Sequence, residues 1–363
     1  MIRGRKERKA KGLRILHLLQ NFPPEFTGGT ERYVLQLARA QQEAGHAVRV
    51  ICGSEQVVEG GEPVPFTVEG LACTRLHRRP EETYRILPRH PRLGGAVAAI
   101  AAREGIEQAH LHHWYHLDLD LARRLRRAGV PVLLTLHDFY TLCPRFFRRM
   151  PGEKEICRPG RSLAECGACL APEAGPGAEA QLAERRREFG AEFAAAGQAV
   201  LFSRAMLDFF RRAPGLPAVE WHLLPPGIHR PERWREAAVE APAGPPWKVG
   251  CWGGICRDKG LDLAVKALAR PAFRGQVELH LRGEIIEEDY AAELRREAAG
   301  AGLPLHLHGP VPAAALPGRV ADLACALFPS RCFESYGLVV DEAMLLGLPV
   351  VATGTGALAE RLG

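Results

Sequence analysis

A chain of 363 residues, 47% hydrophobic and 25% charged, has the composition of a folded enzyme and is long enough for two domains with separate cores. No apolar run approaches the ~20 residues needed to span a bilayer; residues 93–102 come nearest and are too few. The formal net charge of +6 is modest, and no RNA- or DNA-binding motif accompanies it, which argues against nucleic acid as a partner.

In chain order, a basic start (Arg3, Arg5, Lys6, Arg8, Lys9, Lys11) precedes residues 13–19, which read as a strand rather than a signal-peptide core. The protein is therefore expected in the cytoplasm. Residues 31–45 have helical spacing with Gly45 as C-cap residue, and 46–52 form the next strand. Further strands are expected at 109–112, 132–136 and 199–202, with a helix at 118–128. Short apolar strands without alternation suggest a parallel sheet covered on both faces. Residues 170–180, rich in Ala, Pro and Gly, read as irregular, within a cysteine-containing insertion at about 139–180. Six prolines between 225 and 247 mark a hinge. Beyond it the α/β pattern restarts: strands at 249–252, 278–282, 305–308 and 325–328, helices at 261–269 and 289–299, then a buried strand at 349–353. The expected domains are 1–225 and 248–363, joined by a hinge at 226–247.

Two compositional features leave alternatives open. Arginines cluster at Arg123, Arg124, Arg126 and Arg127, and again at Arg145, Arg148 and Arg149. They form either a solvated basic face or one that meets an anionic inner leaflet, where each cation adds about 1 kcal/mol of attraction. The chain has ten cysteines, and in a cytoplasmic setting free thiols or a metal are preferred to disulfides. Cys143, Cys157, Cys166 and Cys169 could hold a structural zinc tetrahedrally. Only the Cys166–Cys169 half has the usual spacing, so unligated thiols are the competing reading.

The chemistry concentrates near the C-terminus. Phe328-Pro329-Ser330 leads into Glu334-Ser335-Tyr336-Gly337-Leu338, followed by Asp341-Glu342-Ala343-Met344 and Gly347-Leu348-Pro349-Val350. A strand running into small residues and a helix start near Gly337 leaves backbone N–H groups and a positive helix end for a diphosphate or polar sugar. If helical throughout, Glu334 and Glu342 would stand roughly 12 Å apart along the axis. An exposed helix with two solvated acids is the bland alternative. This segment resembles the Glu-x7-Glu motif of glycosyltransferase family 4, retaining enzymes with the GT-B fold.

The resemblance extends over nearly the whole chain. Gly28-Gly29 after the first strand, with Gly45-His46-Ala47-Val48 beyond, is similar to the family's N-terminal signature. Trp252-Gly253-Gly254 through Lys259-Gly260 is similar to its donor-phosphate loop, with Gly254 where the family often has arginine. His137 after Thr135-Leu136 matches a family histidine, and His110, His112 and His113 resemble its His-x-His strand end, read as lining rather than metal ligands. The resemblance implies two Rossmann-like domains facing a cleft and transfer of a hexose from a nucleotide-diphosphate sugar, with no obligatory metal. The acceptor would be a saccharide or lipid-linked hydroxyl in envelope polysaccharide or glycolipid synthesis. Gly28, Gly29, Arg257, Lys259, Ser335, Tyr336, Gly337, Leu338 and Glu342 would hold the donor, and Glu334 and His137 would serve catalysis. Family members usually continue past the position of Gly363, so the second domain is expected to be truncated. Two rivals share the fold, a sugar-nucleotide epimerase and a non-catalytic donor-binding partner. A dinucleotide dehydrogenase is disfavoured because no Gly-x-Gly-x-x-Gly follows the first strand.

Overall fold

The computed structural model describes residues 12–83, 86–148, 157, 159–228, 234 and 244–363. The basic N-terminal run and most of the expected hinge lie outside the described residues. By packing, the chain divides into two compact units. One comprises Met1–His137, Arg161–Leu201 and Ala213–His222; the other comprises Asp138–Gly160, Phe202–Arg212 and Leu223–Gly363.

The first unit is built on β1 (Arg14–Leu19), β2 (Ala47–Cys52), β3 (Val64–Val68), β4 (Leu71–Arg75), β5 (Gln108–Leu111), β6 (Val132–Thr135), β7 (Gln198–Leu201) and β8 (Glu220–Leu223). They form one sheet in the order β3-β4-β2-β1-β5-β6-β7-β8. β1 pairs in parallel with β2 and β5, and β6 with β5 and β7. Leu16, Leu18 and Leu19 are fully buried, which explains why β1 reads as an apolar run instead of alternating. The unit's helices are α1 (Gly29–Glu43), α2 (Pro91–Arg103), α3 (Leu121–Arg127), α4 (Leu163–Ala174) and α5 (Ala178–Ala196).

In this unit one expectation is corrected, one hairpin is new and one arginine cluster is resolved. Residues 170–180 are not an irregular insertion: Pro172 sits inside α4, and only the break around Gly175 and Gly177 separates α4 from α5. The β3–β4 hairpin escaped the sequence reading because β3 is a largely exposed edge strand. Its turn needs positive φ at Glu69 and Gly70, and Glu-Gly is a weak turn signal. Finally, Arg123 and Arg124 of α3 are half-buried in ion pairs, whereas Arg126 and Arg127 are exposed. Arg123 pairs with Glu188 and Glu192, and Arg124 and Arg127 pair with Asp120. Among the described residues no helix is long and apolar enough to cross a membrane.

The second unit contains α6 (Arg204–Arg211), β9 (Trp247–Trp252), α7 (Leu261–Leu268), β10 (Val277–Arg282), α8 (Glu288–Ala301), β11 (Leu305–Leu307), α9 (Leu316–Val320), β12 (Cys325–Phe328), α10 (Leu338–Leu345), β13 (Val350–Ala352) and α11 (Ala357–Leu362). Its five strands are all parallel, in the order β11-β10-β9-β12-β13. Leu279 and Leu281 of β10 face Ala264, Val265, Tyr290 and Leu294 of α7 and α8 in one core. β13 is not a buried strand as expected; it is the sheet edge, with Val351 56% exposed. Two segments from the N-terminal half complete this unit. Phe333 stacks edge-on against Phe139 and Phe209, and Glu360 accepts hydrogen bonds from the Arg204 and Ala205 amides at the start of α6.

Asp262 on α7 knits the unit together through Arg331 (2.5 Å), Lys266 (3.2 Å) and the Tyr290 hydroxyl (3.0 Å). Burial alone would raise its carboxyl, but these partners outweigh burial and bring it from 3.8 to about 2. The folded state therefore binds its proton later than the unfolded chain does. The stabilisation is complete above about pH 4 and is lost as pH falls through about 2. Asp262→Asn should flatten the acid limb of a stability–pH curve measured by urea unfolding. An unchanged limb would assign the acid sensitivity to other groups.

Candidate functional site

Strand order in the second unit reverses between β9 and β12, the place where open α/β sheets gather ligand-binding loops. The chain leaving β9 makes a short 3-10 turn, Arg257–Lys259, and then Gly260 in the left-handed region (φ 63°) before α7. A Cβ on Gly260 would lie 2.1 Å from the Pro329 carbonyl oxygen, so only glycine lets the two loops approach this closely. Amides of Arg331 and Cys332 donate to the Asp258 carbonyl and lock the loops together.

That approach brings Lys259 to Glu334. The Lys259 amine donates to Glu334 Oε1 at 2.7 Å, and the Ser330 hydroxyl donates to the same oxygen at 2.7 Å. The Cys332 thiol stands 3.6 Å away. Burial would push the Glu334 carboxyl up, but Lys259, Ser330 and Cys332 together hold it below its ordinary value. Burial likewise opposes the Lys259 charge, and the Glu334 carboxylate overcomes it and raises the amine. Both groups are charged at neutral pH. Lys259 keeps 34% of its side chain exposed, so water screens the pair and it adds little to stability. Its ammonium remains open to a ligand.

Glu334 is not in the helix. α10 starts at Leu338 with Gly337 (φ 85°) as its N-cap, so the expected 12 Å spacing along a helix axis does not apply. Glu342, inside α10 and 5% exposed, accepts a 2.8 Å hydrogen bond from Trp252 Nε1 at the end of β9. Thus both acids lie by the carboxyl ends of the two switch-point strands. The Ser335 carbonyl accepts from the Ser203 hydroxyl, and the Tyr336 hydroxyl donates to Asp341. Arg361 covers the Tyr336 ring and pairs with Asp341. The side chain of Tyr336 therefore props the loop, and what the segment can offer a ligand is backbone N–H at the start of α10.

Arg257 departs from expectation. Its guanidinium is held by Glu293 (2.7 Å), Asp289 (3.0 Å) and Glu287 (3.5 Å) and lies over the Tyr290 ring, so its charge is committed to α8. The hydrogen bonds it donates to Asp289 and Glu293 raise it well above its ordinary value. Ser330 and Trp252 were missed as site residues. Ser330 could have been found from its place four residues before Glu334, directly after a strand.

In the first unit the corresponding reversal lies between β1 and β5. Gly28 donates its N–H to Glu31 Oε2 at 2.9 Å, while Gly29 is the exposed first residue of α1. Along the sheet runs a row of buried histidines. His17 Nε2 meets Gln41 Oε1 at 2.7 Å, His17 Nδ1 meets His112 Nε2 at 2.9 Å, and His112 Nδ1 meets His137 Nε2 at 3.0 Å. His110 Nε2 bonds Thr135, and the Tyr33 ring stands edge-on to His137. Burial lowers His17 to about 4 and His110 and His112 well below the ordinary value, so these rings are neutral. A neutral imidazole has one N–H, so the row must run in one direction. With Gln41 Oε1 accepting, every ring carries its proton on Nε2, His137 included. A histidine inside an otherwise apolar strand was the signal that could have found His17.

The four cysteines divide between the units. Cys143 and Cys157 belong to the second, where Arg148 donates to the Cys157 sulfur, and Cys166 and Cys169 lie on α4 of the first. A concavity of about 760 Å³ beside α4 and α5, lined by Gly167, Ala171, Gly177 and Ala183, is apolar apart from Glu179 and lacks the cations a diphosphate requires.

Two Rossmann-like units, the second with a Lys–Glu pair at its switch point, have the fold of GT-B glycosyltransferases. Residues 27–230 match the family model described as Glycosyltransferase Family 4, and residues 246–363 match that described as Glycosyl transferases group 1. The chain belongs to glycosyltransferase family 4. It is 32% identical over 117 residues to the lipopolysaccharide core biosynthesis mannosyltransferase LpsB of Rhizobium meliloti (strain 1021), a stretch that covers 31% of this chain and 32% of that one. The D-inositol 3-phosphate glycosyltransferase of Arthrobacter sp. (strain FB24) is 26% identical over 361 residues, covering 92% of this chain and 76% of its own. Among solved structures, HepE of Anabaena in complex with UDP superposes with a TM-score of 0.63 at 20% identity, over 96% of this chain and 82% of that one. The catalytic domain of starch synthase IV from Arabidopsis thaliana, bound to ADP and acarbose, gives 0.61 at 17% identity, over 96% and 84%.

Proposed function

We propose that the protein transfers a hexosyl group from a nucleotide-diphosphate sugar to a saccharide or lipid-linked hydroxyl with retention of anomeric configuration, in envelope polysaccharide or glycolipid synthesis. The observation that carries this reading is the Lys259–Glu334 pair at the switch point, beside the start of α10. A bound diphosphate draws the exposed ammonium away from Glu334, whose carboxylate is then available to hydroxyls of the donor sugar. Glu342 takes the ribose hydroxyls, and the amides from Ser335 to Leu338 share the diphosphate charge. As the bond between the anomeric carbon and the diphosphate oxygen breaks, Lys259 and those amides stabilise the departing anion. The acceptor oxygen bonds the same carbon, and its proton passes to the departing phosphate or to His137. Two relatives, a lipopolysaccharide core biosynthesis mannosyltransferase and a D-inositol 3-phosphate glycosyltransferase, support glycosyl transfer, and the first supports a role in envelope polysaccharide synthesis.

The test is a thermal-shift panel of nucleotide sugars followed by NMR of the product formed with an added saccharide acceptor. A product with the donor's anomeric configuration is expected. Inversion, or epimerised donor in the absence of acceptor, would overturn the reading.

His137 supplies a second check. With the row polarised by Gln41 Oε1, His137 keeps Nε2–H and exchanges protons through Nδ1. Gln41→Leu removes the polarising acceptor and should lower kcat about tenfold, with KM for donor nearly unchanged. Gln41→Glu, which can only accept, should restore most of the rate. Nitrogen-15 NMR of the histidines reads the tautomers directly, and a wild-type tautomer pattern in Gln41→Leu would remove Gln41 from this role.

A further inference from the structure

We infer that Glu278, His280 and His306 form a binding site for a divalent transition metal such as zinc on the β10–β11 edge of the second unit. β11 is the terminal strand of the sheet, and its register places His306 directly beside His280. A strand's side chains alternate between faces. Leu279 and Leu281 enter the core with α7 and α8, so Glu278 and His280 project from the opposite face, where His306 and His308 join them.

The donor atoms already have the spacing a small cation needs. Glu278 Oε2 is 3.2 Å from His280 Nε2 and 3.7 Å from His306 Nε2, and the three ligand atoms lie within 4.8 Å of one another. Ligands held at about 2.05 Å in a tetrahedron are separated by roughly 3.3 Å, so the observed distances bracket the requirement. Two imidazoles and a carboxylate make a nitrogen-rich set that suits zinc, cobalt or nickel better than magnesium or calcium.

Support from behind is also in place. His308 Nε2 lies 3.0 Å from His280 Nδ1, the outer contact that fixes the ring plane of a metal-ligating histidine. Exposure is graded from the 9% exposed His280 side chain, through Glu278 at 24%, to His306 at 45%. The metal would therefore rest on a fixed base and keep an outer position open to water. The positive charges around the site are Arg282, two residues along β10 from His280, and Lys248, the β9 partner of Glu278; Asp322 pairs with Lys248 at 2.6 Å and partly offsets Arg282. In the metal-free protein the carboxylate can only accept, so His280 carries its proton on Nε2. On binding, His280 moves its proton to Nδ1 and donates it to His308 Nε2, whose own proton moves to Nδ1, and His280 Nε2 and the carboxylate both turn to the metal.

The site is separate from the Lys259–Glu334 pair and does not rest on the proposed activity. The experiment titrates EDTA-stripped protein with zinc chloride alone by calorimetry. His280→Ala, His306→Ala, His308→Ala and the double variant Cys166→Ser/Cys169→Ser are run in parallel. Wild type and the cysteine variant should bind one equivalent with equal affinity. His280→Ala and His306→Ala should bind at least tenfold more weakly, and His308→Ala about 10–100-fold more weakly. Cobalt(II) should give visible ligand-field bands without thiolate charge transfer. His306 is exposed, so His306→Ala keeps the test sound even where the buried His280→Ala unfolds. Zinc binding that persists undiminished in His306→Ala, or no zinc bound by wild type, would overturn the inference.

Discussion

Replacing Lys259 with alanine is expected to lower kcat/KM for transfer by about 10²–10³-fold, the usual cost of removing one donor aimed at developing negative charge. The residue gives the switch point its exposed cation, because Arg257 beside it is spent on Glu287, Asp289 and Glu293. A charge-assisted hydrogen bond contributes ~1.5–3 kcal/mol, against 0.3–1 for a helix end, so the amides of α10 do not compensate. The variant also leaves the buried Glu334 carboxylate to the Ser330 hydroxyl and the Cys332 thiol, without a cation on Oε1. Urea unfolding of Lys259→Ala separates the two effects. If the rate loss comes from an unpaired buried acid, the unfolding midpoint falls with it; if it comes from the missing cation, the midpoint stays near that of the wild type. Steady-state kinetics with circular dichroism on the same samples decide the matter, and near-wild-type turnover by Lys259→Ala ends the proposed role.

Gly260→Ala is expected to cost about 3 kcal/mol of stability, combining left-handed backbone strain with overpacking, and to reduce transfer in the protein that still folds. The added Cβ would meet the Pro329 carbonyl oxygen at 2.1 Å, and a carbonyl cannot rotate aside as a side chain can. Relief requires the β9 and β12 loops to part, which draws Lys259 away from Glu334. Urea unfolding should show a lower midpoint at unchanged slope. Gly254→Ala is a useful contrast, since its Cβ would meet the flexible end of Ile286 at 2.5 Å and it has no positive φ. Equal losses in the two variants would mean that the loop-to-loop contact is not what Gly260 protects.

Much of this was legible in the amino acids. Strands at 13–19, 46–52 and 325–328 and the helix at 261–269 fall within a residue or two of those observed, because fully buried parallel strands and capped helices leave strong local patterns. The Lys-Gly turn and the Glu-x7-Glu segment likewise announced the family. What failed locally did so for physical reasons. The β3 edge strand is too exposed to show an apolar face, and Pro172 with Gly175 made α4 and α5 resemble a loop.

The sequence by itself determined the α/β alternation, the family and the residue types at each switch point, since these depend on spacing within a few turns or strands. Only the tertiary structure decided who meets whom. Lys259 reaches Glu334 across 75 residues, Arg257 turns to α8, and His17, His112 and His137 join into one hydrogen-bonded row. Such partnerships follow from strand order and register, which no local periodicity encodes, and they set which charges remain available to a substrate.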